Sequence, residues 1–176
     1  MSPIVHAELA WLCAQKLPTR RERILVTLAG VAPDLDGIGL VLYPWDGGVA
    51  YGNWHHLVFH NLFAAVIVAA LCSFAGWRCG LLAFAVFHLH LGCDLLGSGA
   101  GWPIAYLWPL TDRWTNPPSW AWELSSWQNG VIGVAATLAC MATALPLRRT
   151  VLEVLSRRLD EAAVGMVRRL FGSAAG

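Results

Sequence analysis

The chain has 176 residues, of which 57% are hydrophobic and only 13% are charged. Such a composition is unlike that of an ordinary soluble domain and favours a protein embedded in the lipid bilayer. The chain has 12 basic and 11 acidic residues, so its formal net charge is +1. The bulk charge therefore predicts no nucleic-acid partner.

Apolar segments alternate with short polar ones along the chain, and none shows the alternation of a strand. Residues 4–17 and 24–43 come first, and Pro-Asp-Leu-Asp-Gly at 33–37 interrupts the second segment. This interruption predicts a helix from Ile24 to about Ala32, followed by a loop. Three later segments are long enough, or nearly so, to span a bilayer: residues 57–75, 80–96 and 130–147. We predict an all-α, integral-membrane bundle of about four to five helices.

The last third of the chain has two further features. Six of the ten tryptophans lie between residues 102 and 127, in a stretch that prolines interrupt. This loop is predicted to cover the polar end of the bundle, where it either lines a pocket or anchors in the membrane interface. Residues 148–171 combine helical apolar spacing with paired arginines, which predicts an amphipathic helix on anionic lipid or against a partner helix. We therefore divide the chain into a membrane domain, 1–147, and a basic tail, 148–176.

Histidine and aspartate side chains stand within these apolar segments, where they are costly unless paired or bound to a metal. His90 and Asp94 are four residues apart and share a helix face, whereas His88 lies about 200° away from His90. Two predicted helical hairpins would bring all the histidines to one end of the bundle, together with Asp34, Asp36 and Asp94. Imidazole and carboxylate ligands suit one or two divalent ions, zinc above all, with manganese or iron(II) as alternatives.

Nearly all the basic residues fall at the other end of the predicted bundle, with Arg113 as the exception. The positive-inside rule then places the arginine end and the tail in the cytoplasm. The metal site would lie on the extracytoplasmic side of the inner membrane, in a multi-pass protein. The alternative is that these arginines only cap the carboxyl ends of helices.

The order of these motifs resembles the YdjM-like family of inner-membrane-associated, metal-dependent hydrolases. The resemblance covers about residues 1–112 and rests on His6, Pro-Asp-Leu-Asp at 33–36, the histidines of 55–60, His90-x3-Asp94 and Leu-Trp-Pro at 107–109. Where that family usually has His-Arg-Gly-x-Thr-His-Ser, residues 55–61 read His-His-Leu-Val-Phe-His-Asn. Either His55 or His56 therefore matches the first ligand. The motif order is also similar to the first half of zinc-dependent phospholipase C and the related single-strand nucleases, which implies phosphoester hydrolysis.

From the residues and this resemblance together we assign the metal ligands as His6, Asp34, His55, His60, His90 and Asp94. Asp36 and His56 are assigned as secondary ligands or proton-transfer groups, and His88 as a residue that orients the ligands. The predicted function is a membrane-bound hydrolase in which a metal-activated water attacks a phosphoester substrate, with lipid the natural choice. The alternatives are a transporter, a haem protein, and a non-catalytic membrane scaffold with a structural metal. The sequence does not predict the oligomeric state.

Overall fold

The computed structural model of the chain describes residues 1–172. Its α-helices are α1 (Pro3–Cys13), α2 (Arg20–Val31), α3 (Tyr43–Asp46), α4 (Val49–Trp54), α5 (Leu62–Ser73), α6 (Trp77–Gly97), α7 (Trp127–Ala142) and α8 (Arg157–Phe171). Three 3₁₀ segments lie at Ala14–Lys16, Ala32–Leu42 and Val151–Val154. The only strand-like feature of residues 1–172 is a single bridge between Ile104 and Thr115. The predicted all-α bundle is confirmed.

Helices α1 and α2 form the first hairpin. The Thr19 hydroxyl accepts the backbone N–H of Glu22, while the Thr19 N–H donates to the Glu22 carboxylate, so α2 begins with a capping box at Arg20. Close helix packing requires glycine at position 30, because a Cβ there would lie 2.3 Å from Ala10 Cβ. The sequence predicted a loop after about residue 32, whereas the chain continues as the 3₁₀ segment Ala32–Leu42.

Helices α5 and α6 form the second hairpin. The Asn61 side chain accepts the backbone N–H of Ala64 at 2.9 Å, and this cap starts α5 at Leu62. The predicted helix start at residue 57 is therefore wrong, and His55 to His60 lie in the preceding turn. Gly76, with φ 147°, makes the turn into α6. This turn brings the end of α6 back towards the turn before α5.

Helix α2 packs against both α1 and α6 and so joins the two hairpins. The buried core between them consists of Ala10, Ala14, Leu17, Val26, Ala29, Cys72, Cys79, Ala83 and Val86. Helix α7 packs on α1, where the Thr137 hydroxyl donates to the Glu8 carboxylate at 2.8 Å. Glu153 connects the tail to the bundle, because its carboxylate accepts hydrogen bonds from Arg23 of α2 and Trp11 of α1.

Two stretches are long and apolar enough to cross a membrane by length and composition: Arg20–Asp46 and Trp77–Gly97. The predicted spans 57–75 and 130–147 are shorter in the structure, as α5 and α7 have 12 and 16 residues. At 1.5 Å per residue they measure about 18 and 24 Å, less than the ~30 Å of a bilayer core. The tail also differs from the prediction, because α8 begins at Arg157 rather than at residue 148.

Candidate metal centre

Asp94 is the centre of a buried cluster at one end of the bundle. On α6 its Oδ2 lies 3.0 Å from His90 Nε2, one helical turn earlier. His6 of α1 donates from Nε2 to Asp94 Oδ1 at 3.1 Å, and His60 Nε2 lies 3.4 Å from Oδ2. All four side chains are buried. The hairpins therefore bring these groups together as the chain directions predicted.

The protons of two histidines are fixed on the side away from this centre. His90 donates from Nδ1 to the Gly30 carbonyl at 2.8 Å, and His60 donates from Nδ1 to Asp36 Oδ2 at 2.9 Å. Each neutral ring then carries a lone pair on Nε2. Both Nε2 atoms are buried and lack a hydrogen-bond partner in the described chain, as does Asp34 Oδ2. Lone pairs that face a carboxylate repel it unless a positive charge lies between them.

The donor set fits a divalent cation. Asp34, His60, His90 and Asp94 each offer one ligand atom, and these atoms all lie within 4.8 Å of one another. Two imidazole nitrogens and two carboxylate oxygens are ligands that zinc takes in a tetrahedral site. Manganese and iron(II) accept the same set. His6 stacks on His90 with ring centroids 3.6 Å apart, so its ring also borders the group.

Asp36 lies behind the histidines and supports two of them. Its Oδ1 accepts from His55 Nδ1 at 2.8 Å, and its Oδ2 accepts from His60 Nδ1 and from the Phe59 backbone N–H at 3.2 Å. The side chain is fully buried. Carboxylates in this position fix the tautomer and the orientation of metal-binding imidazoles. Asp36 is therefore placed to orient His55 and His60.

His55 and His56 form the rim of the centre, and with His60 they make a second group able to hold a cation. His56 adopts a left-handed backbone, φ 66°, which is uncommon outside glycine and turns its ring towards the cluster. Its Nδ1 donates to the Trp102 carbonyl at 3.2 Å, and its Nε2 lies 3.9 Å from Asp94 Oδ2. Since His60 belongs to both groups, the site has donors for one ion or for two.

Two histidines of the turn before α5 have opposite charge preferences. Burial, together with the positive character of His60 and His55, lowers the pKa of His56 to about 3. Burial also lowers the pKa of His60, but its hydrogen bond to Asp36 and the nearby Asp94 carboxylate outweigh burial and raise the pKa to about 9. Without a cation the carboxylates therefore favour a proton on His60 Nε2, and a bound cation would replace that proton and supply the positive charge instead.

His88 does not contribute to this cluster. Its Nδ1 donates to the Phe84 carbonyl at 2.8 Å, and its Nε2 lies 2.9 Å from the Tyr106 hydroxyl. Both ring nitrogens are therefore occupied on the other face of α6. The expectation that His88 orients the ligands is wrong for the described residues, because its 200° offset directs the ring away from them.

A cavity of about 530 Å³ opens onto the centre. Its polar lining includes Asp34, Asp94, His55 and His56, and its apolar wall includes Val5, Leu40, Leu124 and Trp102. The tryptophan-rich loop therefore lines a pocket through Trp102. Trp120 and Trp127 are exposed instead, as expected for interfacial anchors.

A family model described as YdjM inner membrane protein matches residues 1–160. The chain belongs to this family. The match extends beyond the motifs near the histidines and includes α7 and the start of α8. As a member of the YdjM family the protein is an inner membrane protein, and its two long apolar stretches agree with that location. No curated protein and no solved structure matches the chain significantly.

Sequence reasoning missed four groups at the centre of this YdjM family member. The Met1 ammonium donates to Asp94 Oδ1 and, at 3.1 Å, to Ser98 Oγ. Ser98 donates to Asp94 Oδ1 at 3.3 Å, and its spacing of four residues from Asp94 could have indicated this contact. Tyr51 stacks on His55 with centroids 4.7 Å apart. Neither this stacking nor the role of the Gly30 carbonyl has a signal in the sequence, because both depend on how distant elements pack.

Proposed function

We propose that the protein is a membrane-bound, metal-dependent hydrolase of phosphoester substrates. The observation that carries the proposal is the convergence of two unpartnered, buried imidazole nitrogens on Asp94 and Asp34, beside an open cavity. Unpaired polar atoms in a core are costly, and a bound cation would satisfy all of them together. A site with a neighbouring cavity can admit a substrate, whereas a purely structural site is usually closed.

His60, His90, Asp34 and Asp94 are the proposed ligands, His55 belongs to the second group able to hold a cation, and His6 borders the site through its hydrogen bond to Asp94. A bound zinc ion would supply Lewis acidity and an activated water at neutral pH. Asp36 would act as a positioning residue, because its two oxygens already hold His55 and His60. Support for this arrangement comes from the fixed Nδ1 protons, which leave Nε2 as the donor atom.

His56 is the proposed secondary ligand or proton-transfer group. Its Nδ1 proton is held by the Trp102 carbonyl, so the ring offers the lone pair of Nε2, 3.9 Å from Asp94 Oδ2. The low pKa of His56 keeps this ring neutral, as a metal ligand must be. The ring also lines the cavity, so a substrate there lies within its reach. The apolar wall of the cavity supports an amphiphilic substrate such as a phospholipid, whose acyl part would contact Val5, Leu40 and Leu124.

We also propose a multi-pass topology in which the metal centre lies on the extracytoplasmic side. The positive-inside rule supports this orientation, because Arg20, Arg148 and Arg149 lie at the end of the bundle away from the histidines. Fusions of alkaline phosphatase and of a fluorescent protein to residue 172 would test it. Fluorescence without phosphatase activity is expected, and the reverse result overturns the orientation.

The test of the function compares the wild type with two ligand variants, Asp94→Asn and His90→Gln. His88→Gln is the matched control, since it makes the same exchange on the same helix but lies outside the centre. We would measure metal content by elemental analysis, then hydrolysis of bis(p-nitrophenyl) phosphate and of phospholipid in mixed micelles. Both ligand variants should lose metal and activity together, while His88→Gln keeps both.

Two results would overturn the proposal. If Asp94→Asn and His90→Gln keep the metal content of the wild type, the metal centre is wrong. If the wild type binds metal stoichiometrically but hydrolyses no phosphoester in the panel, the centre is that of a non-catalytic scaffold.

A further inference from the structure

A cleft lined by arginines lies at the other end of the bundle. Its volume is about 320 Å³, and five arginines and three carboxylates line it. Arg20 of the cleft begins α2, and Gly30, whose carbonyl accepts from His90, lies ten residues later. About 15 Å of helix therefore separates the cleft from the metal centre. The arginines come from the start of α2, from the segment after α7 and from the start of α8: Arg20, Arg23, Arg148, Arg149 and Arg157.

Two of the three carboxylates are already engaged. Glu153 is buried and binds Arg23 through both oxygens, at 2.6 and 2.7 Å. Asp160 Oδ1 accepts the backbone N–H and the hydroxyl of Thr150, at 2.6 and 2.8 Å. Glu161, the third, is exposed. Within residues 1–172 no carboxylate forms an ion pair with the other four arginines, Arg20, Arg148, Arg149 and Arg157. The cleft therefore keeps an excess of positive charge.

Helix α8 extends from this cleft and carries an apolar stripe that the bundle leaves uncovered. Leu159, Met166 and Leu170 are 51%, 61% and 65% exposed, and their spacing of seven and four residues puts them on one face. The face that packs on the protein is a different one, marked by buried Val167 and Asp160. The exposed stripe is thus not explained by packing within the described residues.

Arginines border the stripe along its length. Arg158 and Arg169 are both exposed and lie eleven residues apart, which places them within about 20° of each other on the helix. Arginine guanidinium groups pair with phosphate in a bidentate geometry. A helix with an apolar stripe beside arginines is the kind that lies in the interface of a membrane containing anionic lipid.

We propose that the cleft and α8 together form a binding site for anionic phospholipid. The cleft would hold the phosphate of the headgroup with Arg148 and Arg157, while the stripe of Leu159, Met166 and Leu170 inserts among the acyl chains. The stripe favours a lipid over a free phosphate, because a free phosphate leaves these apolar side chains in water. The site is separate from the metal centre and does not depend on the proposed hydrolase activity.

The experiment uses the full chain, purified in a neutral detergent and titrated with phosphatidylglycerol, with phosphatidylcholine or with inorganic phosphate. Bound lipid is counted by native mass spectrometry.

One double variant alters the cleft and combines Arg148→Asn with Arg157→Gln. Asparagine is chosen at position 148 because it tolerates the left-handed backbone there, where φ is 52°. A second, Arg158→Gln with Arg169→Gln, alters the border of the stripe. The matched control, Arg21→Gln with Arg78→Gln, removes two exposed charges outside the cleft.

We expect the wild type to bind phosphatidylglycerol in preference to phosphatidylcholine. Each arginine removed from the cleft or from the border of the stripe should weaken the affinity for phosphatidylglycerol about fivefold. The affinity of the control variant should stay within about twofold of that of the wild type. Unchanged helix content and an unchanged thermal unfolding midpoint show that a variant is folded. The proposal is overturned if the wild type shows no preference, if the control loses as much as the cleft variant, or if inorganic phosphate competes with the lipid at equal concentration.

Discussion

Replacing Asp36 by asparagine tests whether its carboxylate sets the tautomer of the histidines that we propose as metal ligands. The carboxylate now accepts from both His55 Nδ1 and His60 Nδ1. Asparagine has one acceptor oxygen, so only one histidine can keep its bond. The amide NH₂ group donates, and it would force the other ring to carry its proton on Nε2. A histidine that is protonated on Nε2 has no lone pair there for the metal.

The expected loss of metal affinity in Asp36→Asn follows from the number of hydrogen bonds to histidine that are lost. Removing one orienting partner of a metal-binding histidine typically weakens metal affinity by about 10–100-fold. Because Asp36→Asn disrupts the support of one histidine and leaves the other, we expect a loss in that range. The variant should still fold, since the exchange keeps the shape of a side chain that is fully buried.

The assay is a competition between the protein and a chromophoric zinc chelator, in detergent at neutral pH. Asp46→Asn is the matched control, because Asp46 lies in the same part of the chain but binds only the backbone N–H groups of Gly48 and Ala50. This control should keep the wild-type affinity. Equal affinities of wild type and Asp36→Asn would refute the tautomer argument, as would an equal loss in both variants.

Two further predictions concern stability. In Gly39→Ala the new Cβ would lie 2.7 Å from the Tyr51 backbone nitrogen, so we expect thermal unfolding to show a loss of about 1–3 kcal/mol. Gly52→Ala meets no atom within 4 Å and should be neutral; equal losses would contradict the packing argument. Burial raises the pKa of Glu153, but its hydrogen bond from Arg23 lowers it below the ordinary 4.5. Glu153 therefore contributes stability above that pH and loses it as the pH falls through its folded-state pKa. Glu153→Gln should flatten the acid side of the unfolding profile, and an unchanged slope would disprove this.

The arrangement of the hairpins could be predicted from the sequence because chain direction and helix length decide which residues share an end. His90 and Asp94 meet because a spacing of four places them on one face of α6, and the 3.0 Å contact follows from that spacing. His88 shares the helix but not the face. The angle of about 200° between His88 and His90 around the helix already predicted that the two rings lie apart. Only the expectation that His88 orients the ligands was wrong.

Helix boundaries were predicted less well where a single side chain decides them. The apolar run from residue 57 masked the start of α5, although Asn61 is a preferred N-cap residue and its side chain begins the helix at Leu62. As a result His55, His56 and His60 lie in a turn, where His56 can adopt its left-handed backbone. Three histidines in a turn approach one point more closely than the same residues on a regular helix.

That imidazoles and carboxylates gather at one end of an apolar bundle and arginines at the other could be inferred from the amino-acid sequence alone. Periodicity, chain direction and the cost of burying polar groups are local properties, and they suffice for that result. Which atoms of those side chains are available depends instead on how the folded helices pack. The Gly30 carbonyl and Asp36 hold the Nδ1 protons of His90 and His60. Because these partners lie 60 and 24 residues away along the chain, the free Nε2 atoms exist only after the two hairpins have packed.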